Sequence, residues 1–272
     1  IVNTPQQAAR FSAQIAAGNA ELGLRVNPMH SEGEVAKYDP CAPGSRLGTP
    51  LHQLENKLPK TVKGLHIHTL CEQDLPPLAR TVHALHPFLE AVASQLRWLN
   101  LGGGHLVTRH DYERAALAEL TNALAHTYDV QVFLELGTAV AFDAGILVGE
   151  VLDVMDNEGP VAVLDVSATC HMPDILEAPY RPALRDECLG GQAVRLGGPS
   201  CLAGDVIGTY GFDALPQAGD RLAFLDQAHY SMVKTTTFNG VRLPALAIWN
   251  SDTDALRMVR TFDYADFEGR LS

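Results

Sequence analysis

The sequence contains no apolar run close to the roughly 18 residues that a membrane-spanning helix requires. It opens with Ile-Val-Asn-Thr, which forms neither a basic region nor an apolar signal core, so we expect a cytoplasmic protein with no membrane segment. With a formal net charge of −12 at pH 7, it has no excess of basic residues for phosphate backbones, and we expect no nucleic-acid partner. An acidic protein is instead suited to a cationic ligand.

Cysteine is also scarce. The five cysteines are an odd number without tight pair spacing, which fits reduced thiols better than a disulfide framework and leaves a thiol available for chemistry. The chain of 272 residues, 46% hydrophobic and 19% charged, is long enough for one large domain or two ordinary ones.

The first half of the chain alternates predicted strands and helices, which implies a parallel sheet. Only about four strand–helix units are visible, whereas a closed barrel of this type needs about eight strands. We therefore predict an α/β fold in which residues 1–140 form a partial TIM-type (β/α)8 barrel, with the amino-terminal strands missing from this chain. The predicted elements are a helix that begins at Pro5 with Thr4 as its N-cap and ends before Gly18, strands over 22–27, 64–68, 98–101 and 130–136, and helices over about 78–97 and 111–126.

After Thr138 the pattern changes to short apolar strands separated by turn residues. This pattern predicts an antiparallel β domain over residues 141–272. The predicted strands cover residues 144–154, 161–166, 222–225, 241–249 and 256–262.

Three successive strand ends in the first half carry reactive or ligand-binding side chains. They are the segment 66–72 with two histidines, the segment 100–105 with three glycines, and the segment 135–138 with a carboxylate beside a glycine. In parallel barrels the active site forms at the carboxyl ends of the strands, so these segments are expected to meet. Glycine amides would bind a phosphate, an imidazole would stack on a ring, and the carboxylate would keep a ring nitrogen protonated. Together these groups meet the requirements of pyridoxal phosphate.

Each of these features also has an alternative interpretation. The histidines at 66 and 68 could form a satisfied core pair, or bind a metal as in metal-dependent barrel hydrolases, although no second histidine cluster follows on later strands. Glycine runs also serve ordinary tight turns. A carboxylate at one strand end indicates little by itself.

The second half contains one cysteine in an unusual context. Cys201 lies in a predicted loop, flanked by Gly, Pro and Ser, where a thiol is more accessible than in a core. It is a candidate proton donor or nucleophile, and the alternative is a structural cysteine.

Several segments resemble carboxynorspermidine decarboxylases, within the wider group of ornithine, diaminopimelate and biosynthetic arginine decarboxylases. They run in family order over nearly the whole chain, and HMPD and CLAGD are specific to the carboxynorspermidine branch. The matching segments are YDPC (38–41), SRLG (45–48), GLHIHTLCE (64–72), LNLGGGH (99–105), LDVSATCHMPDILEAPYRP (164–182), GGPSCLAGD (197–205) and HYSMVKTTTFNG (229–240).

The resemblance implies a homodimeric, alanine racemase-like enzyme that uses pyridoxal phosphate to decarboxylate carboxynorspermidine or carboxyspermidine, giving norspermidine or spermidine. By position, it implies that His68 stacks on the pyridine ring and Glu135 pairs with the ring nitrogen. No metal is implied. The residues that it places around the phosphate are Cys71, Gly102, Gly103, Gly104, Gly137 and Tyr230.

On the substrate side, the resemblance implies that Cys201 reaches in from the partner subunit and donates a proton to the substrate carbon. Asp174 would bind a substrate amino group, and the segment around Tyr230 would return to the active site. Further substrate-binding residues expected from the resemblance are Thr138, His171, Tyr180, Arg181 and Asp205.

Three positions depart from the wider family. Thr138 stands where members carry the second carboxylate of a Glu-Pro-Gly-Glu segment, and Leu202 follows the cysteine where ornithine enzymes have Asp, as is usual in this branch. The lysine that binds the cofactor covalently has no counterpart, because Lys63 lies at the wrong end of its strand and Lys234 matches a different family lysine. We therefore expect no covalent cofactor linkage by this chain alone. A catalytically inactive relative with a binding or regulatory function is the alternative.

Overall fold

The computed structural model describes residues 1–33, 35–178 and 180–271. The chain divides into two compact units, Ile1–Val140 and Ala141–Ser272. Among the described residues, no helix combines the length and the apolar composition needed to cross a membrane.

The first unit is built on a sheet of five parallel strands. In space the strands follow the order β2-β1-β3-β4-β5, with helices α2 and α3 on the connections between β3, β4 and β5. The α/β class is confirmed by this arrangement. The strands are β1 (Leu22–Asn27), β2 (Thr49–Pro50), β3 (Val62–His66), β4 (Trp98–Asn100) and β5 (Gln131–Phe133), and the helices are α1 (Pro5–Ala16), α2 (Leu75–Val92), α3 (Arg114–Tyr128) and the short α4 (Thr138–Ala141).

Local sequence signals set the start of α1. The hydroxyl of Thr4 accepts a hydrogen bond from the Gln7 amide, and Pro5 occupies the first helical position, as predicted. β1 has the predicted bounds, and the other boundaries of the predicted elements differ from the prediction by at most five residues. In particular, β3 ends at His66 and not at His68, so His68 lies in the loop that follows the strand.

One hydrophobic core supports this unit. Its buried side chains come from both the strands and the helices, so the sheet has a helix-covered face. The largest fully buried ones are Leu24, Leu65, Ile67, Leu70, Leu78, Leu85, Leu89, Leu99 and Leu101.

The second unit contains a five-stranded sheet and a separate two-stranded hairpin. The sheet order is β10-β6-β7-β8-β9, and β11 pairs only with β12. The strands are β6 (Leu147–Asp156), β7 (Pro160–Leu164), β8 (Gln192–Gly197), β9 (Val206–Phe212), β10 (Arg221–Phe224), β11 (Leu246–Asn250) and β12 (Ala255–Arg260), and the helices are α5 (Ala168–His171), α6 (Asp174–Glu177), α7 (Tyr230–Val233) and α8 (Tyr264–Glu268).

The prediction of a purely antiparallel domain was wrong at one pair of strands. β7 and β8 are parallel, whereas the other neighbours in the sheet are antiparallel. A parallel pair needs a crossover connection, and residues 165–191, which include α5 and α6, supply it. The sheet is therefore mixed.

Candidate active site

The three segments of the first unit that carry reactive or ligand-binding side chains, 66–72, 100–105 and 135–138, lie at the ends of neighbouring parallel strands. His66 is the last residue of β3, Asn100 is the last residue of β4, and Glu135 comes two residues after β5. Because β3, β4 and β5 are adjacent, their carboxyl ends lie at one edge of the sheet. The predicted convergence of these segments is present in the fold.

Glu135 uses one carboxylate oxygen within the protein. Its Oε1 accepts a hydrogen bond of 2.9 Å from the side-chain amide of Asn100, and Nε2 of His66 lies 3.6 Å from the same oxygen. Among residues 1–33, 35–178 and 180–271, no side chain or backbone group donates to Oε2. The Glu135 side chain is 49% exposed, so Oε2 is available to a bound molecule.

The surroundings lower the pKa of both histidines of this cluster. Burial lowers the pKa of His66, although the nearby Glu135 carboxylate acts in the opposite direction. Burial also lowers the pKa of His68, and the positive charge of Arg25 adds to that effect. Nδ1 of His68 accepts a hydrogen bond of 3.2 Å from the Gly103 amide, which fixes the orientation of the ring.

The glycine triplet is required by close packing as well as by backbone conformation. Gly102 and Gly104 adopt φ values of +70° and +84°, which disfavour side chains. A Cβ on Gly103 would lie 2.3 Å from the carbonyl oxygen of Glu135. The turn therefore approaches the backbone after β5 too closely for any residue but glycine.

The donors and acceptors at this edge fit pyridoxal phosphate. Glu135 presents an unused carboxylate oxygen for a ring nitrogen, His68 presents a fixed imidazole, and a glycine turn lets backbone amides approach a phosphate. The same histidines and Glu135 also place potential metal-ligand atoms within 4.8 Å of one another, so their geometry alone allows a metal.

The remaining predicted residues of the first unit lie beside this cluster in sequence. Cys71 is exposed as a residue, but partial desolvation of its thiol by neighbouring atoms, together with the nearby Glu72 carboxylate, raises the pKa of that thiol. Gly137 has open space where a Cβ would stand. The Thr138 hydroxyl donates to the His105 carbonyl oxygen at 3.0 Å, so it is already used within the protein.

In the second unit, Asp174 is engaged by a lysine that sequence reasoning did not connect with it. Nζ of Lys234 bonds to the carboxylates of Asp174 and Glu177 at 2.5 and 3.0 Å and lies 5.7 Å from the Tyr230 ring. These hydrogen bonds raise the pKa of Lys234. Asp174 and Glu177 are spaced i, i+3 on α6, and this spacing was the available signal for a shared cation.

Asp205 is a structural anchor for the loop that carries Cys201. Its buried carboxylate accepts hydrogen bonds from the Ser167 hydroxyl at 2.8 Å and from the amides of Thr169 and Ser200, both at 3.1 Å. Burial raises the pKa of Asp205, but these hydrogen bonds outweigh that effect and lower it. These contacts hold the loop in place, and the expected substrate contact of Asp205 stays a prediction.

Cys201 lies in an exposed position, as its loop context predicted. Its backbone amide donates to the side chain of Asn239 at 2.7 Å, which ties the loop to the segment after α7. Its thiol is therefore accessible on a loop that is held at both ends by hydrogen bonds.

His171 and Arg181 both make contacts within the protein, and their expected substrate-binding function stays a prediction. His171 is buried, with Nδ1 accepting from the Ser167 amide at 3.1 Å and Nε2 3.0 Å from the Arg242 carbonyl oxygen. The Arg181 guanidinium pairs with Glu187 at 3.0 Å and stacks on a tyrosine ring. Tyr180 is 40% exposed and so remains accessible.

The known proteins that this chain is similar to are decarboxylases. Residues 31–228 match the family described as pyridoxal-dependent decarboxylase, C-terminal sheet domain. A carboxyaminopropylagmatine decarboxylase of Synechocystis sp. is 42% identical over 259 residues, which are 92% of this chain and 66% of that protein. A carboxynorspermidine/carboxyspermidine decarboxylase of Campylobacter jejuni is 38% identical, over 92% of this chain and 69% of that protein. The chain thus spans about two thirds of the length of these relatives.

The fold is similar to a solved structure of the same kind. The crystal structure of carboxynorspermidine decarboxylase complexed with norspermidine, from Campylobacter jejuni, superimposes with a TM-score of 0.88 at 35% identity. The match covers 98% of this chain and 73% of that one. The cofactor that the sequence predicts is therefore the one used by the matched family.

Proposed function

Because this chain belongs to the pyridoxal-dependent decarboxylases, within the carboxynorspermidine/carboxyspermidine decarboxylase branch, we propose that it binds pyridoxal phosphate and a carboxylated polyamine and that its protein decarboxylates this substrate. The observation that carries the proposal is the carboxylate of Glu135. It is held through Oε1 beside His68 and the glycine turn, and its Oε2 is available for the cofactor.

Each group at the sheet edge has a defined task in this proposal. The cofactor, when bound, supplies a ring that accepts the electron pair left by departing carbon dioxide. Glu135 would hold a proton at the ring nitrogen, His68 would cover one face of the ring and exclude water, and the amides of Gly102–Gly104 would bind the phosphate. Cys71, Gly137 and Tyr230 are proposed to complete the phosphate site.

The second unit is proposed to supply the substrate-side groups. The exposed thiol of Cys201 would donate the proton that replaces carbon dioxide on the substrate carbon. Asp174 would bind a substrate ammonium group, which requires Lys234 to leave it or to share it. Thr138 and Tyr180 remain proposed substrate contacts.

Quaternary structure and full architecture are part of the same proposal. The five parallel strands would form part of a (β/α)8 barrel over residues 1–140, with residues 141–272 as a second domain. Two copies would associate head to tail and share active sites, with Cys201 and the segment around Tyr230 completing them. We propose the cytoplasm as the location.

The substrate itself has two candidate types. The relatives are named for carboxynorspermidine or carboxyspermidine and for carboxyaminopropylagmatine, which ends in a guanidinium group instead of an amine. All are carboxylated and cationic, which fits the net charge of −12.

The test is release of carbon dioxide from each of the three compounds by the intact protein with added pyridoxal phosphate. We expect release from at least one compound, together with the matching amine product. Glu135→Gln should abolish most of this activity, while Glu119→Gln, an exposed glutamate on α3, should leave it unchanged. Cofactor binding without carbon dioxide release from any compound would contradict the proposed reaction and leave the binding or regulatory alternative.

A further inference from the structure

One side chain connects the two ends of the proposed cofactor site. The carboxamide of Asn100 accepts a hydrogen bond from the Gly102 amide through Oδ1, at 2.8 Å, and donates one to Glu135 Oε1 through Nδ2, at 2.9 Å. Neither partner lies on β4, the strand of Asn100: Gly102 is in the glycine turn, and Glu135 follows β5. Asn100 is therefore a bridge between the group proposed for the phosphate and the group proposed for the ring nitrogen.

Building on the proposed function, we propose that Asn100 is a positioning residue that fixes the separation between the glycine turn and the Glu135 carboxylate, and so sets the orientation in which the second carboxylate oxygen, Oε2, faces the cofactor. Asn100 touches neither the substrate nor the cofactor in this scheme. It acts through Gly102 and Glu135.

The surroundings of Oε1 explain why the carboxylate keeps one orientation. His66 lies on the same oxygen as Asn100, at 3.6 Å, and it is only 7% exposed. With Asn100 and His66 both directed at Oε1, turning the plane of the carboxylate away from this orientation would break the hydrogen bond from Asn100. Oε2 is thereby left for a donor that comes from outside the protein.

The requirement is specific for an amide. At neutral pH a carboxamide offers an acceptor and a donor in one planar group, whereas an ionised carboxylate of the same size only accepts, and Asn100 uses both functions. Aspartate would keep the acceptor for the Gly102 amide, but it would set a second carboxylate against Glu135. Two carboxylates at this distance repel each other unless they share a proton.

The decisive variant is therefore Asn100→Asp in the holoenzyme, with Asn122→Asp, an exposed position on α3, as the matched control. The first readout is the dissociation constant for pyridoxal phosphate, measured by equilibrium dialysis. We expect it to rise by roughly 10- to 100-fold, the size associated with a hydrogen bond to a charged group, and the control to match the wild type.

A second readout separates positioning from simple damage to the fold. Lowering the pH from about 8 to about 6 should reduce the loss in Asn100→Asp, because a proton shared between the carboxyl groups restores a hydrogen bond at Oε1. A defect that is only structural would not lessen as the pH falls. If Asn100→Asp unfolds, the double variant Asn100→Asp/Glu135→Gln restores the bond with its direction reversed, and it should regain thermal stability but not cofactor affinity.

The outcomes separate this inference from the proposed function. Unchanged cofactor affinity in Asn100→Asp overturns the inference even if the enzyme is active, and so does full recovery of affinity in the double variant. A wild-type protein that binds the cofactor but releases no carbon dioxide contradicts the proposed reaction, while the affinity comparison still decides the inference. A wild-type protein that binds no pyridoxal phosphate overturns both.

Discussion

The backbone amide of Gly103 donates a hydrogen bond to Nδ1 of His68 across 3.2 Å, although 35 residues separate the two in sequence. This bond requires an unprotonated Nδ1, which agrees with the lowered pKa of His68. It also means that His68 could serve the site in two ways, by covering the cofactor ring or by holding the glycine turn. Two variants separate these functions.

His68→Asn keeps an acceptor near the position of Nδ1 but removes the ring, whereas His68→Phe keeps a ring and removes the acceptor. Because we propose stacking, His68→Asn should weaken pyridoxal phosphate binding by roughly 3- to 10-fold more than His68→Phe does. His68→Phe should instead lower the free energy of unfolding by about 1–3 kcal/mol, since the Gly103 amide loses its partner. Fluorescence titration and urea unfolding measure the two effects. The opposite order of affinities would contradict stacking, and His83→Asn, on the exposed side of α2, is the control.

Gly103→Ala tests the close approach of the turn to the segment after β5. The added Cβ would stand 2.3 Å from the Glu135 carbonyl oxygen, so one of the two backbones must move. We expect a loss of about 1–3 kcal/mol in the free energy of unfolding together with weaker cofactor binding. Gly18→Ala is the matched control, because its Cβ would lie 3.7 Å from the nearest atom. Equal stability of the two variants in urea would show that the turn has room to adjust.

His105 should make the protein sensitive to acid. Burial lowers its pKa to about 4, with the nearby His68 adding to the effect, whereas the unfolded chain has the ordinary value of 6.5. As the pH falls below 6.5, the unfolded chain binds a proton that the folded chain does not, so stability decreases until about pH 4. The full loss is about 3 kcal/mol.

The measurement is the free energy of unfolding in urea across that pH range, for the wild type and for His105→Asn. Between pH 6.5 and pH 4, the free energy of unfolding of the variant should fall by about 3 kcal/mol less than that of the wild type. His126→Asn, an exposed histidine on α3, should keep the wild-type slope. Identical slopes for the wild type and His105→Asn would rule out His105 as the source.

Cys201→Ala should lower kcat by roughly 100-fold or more, as expected when a positioned proton donor is removed, with little change in cofactor affinity. Cys188→Ala removes another thiol of the second unit, and it should leave kcat unchanged. If two subunits share each site, mixing Cys201→Ala with Glu135→Gln should restore up to about a quarter of wild-type activity, because half of the dimers then contain one intact site. No restoration after subunit exchange would contradict the shared sites.

The sequence determined the elements whose causes are local. Thr4 and Pro5 define the start of α1 by contacts within one turn, and the short apolar segments of the first unit predicted four of its five parallel strands to within a few residues, missing the two-residue β2. It did not reveal β8 and β9 as strands. β8 buries only Val194 and Leu196, and β9 is interrupted by glycines, one of which, Gly211, is needed because the Cys188 carbonyl oxygen would lie 2.0 Å from a Cβ there.

The sequence by itself determined which chemical groups are present: an imidazole, a glycine turn, a carboxylate and an accessible thiol, each recognisable from its neighbours along the chain. Only the tertiary structure decided how they are used. The bonds from Asn100 to Gly102 and Glu135, the burial of His171 and the capture of Asp174 by Lys234 depend on which strands and loops become neighbours in space. Apart from the short contact within the Asn100 turn, these partners are 35 to 71 residues apart, and no local pattern specifies a hydrogen bond over such a separation.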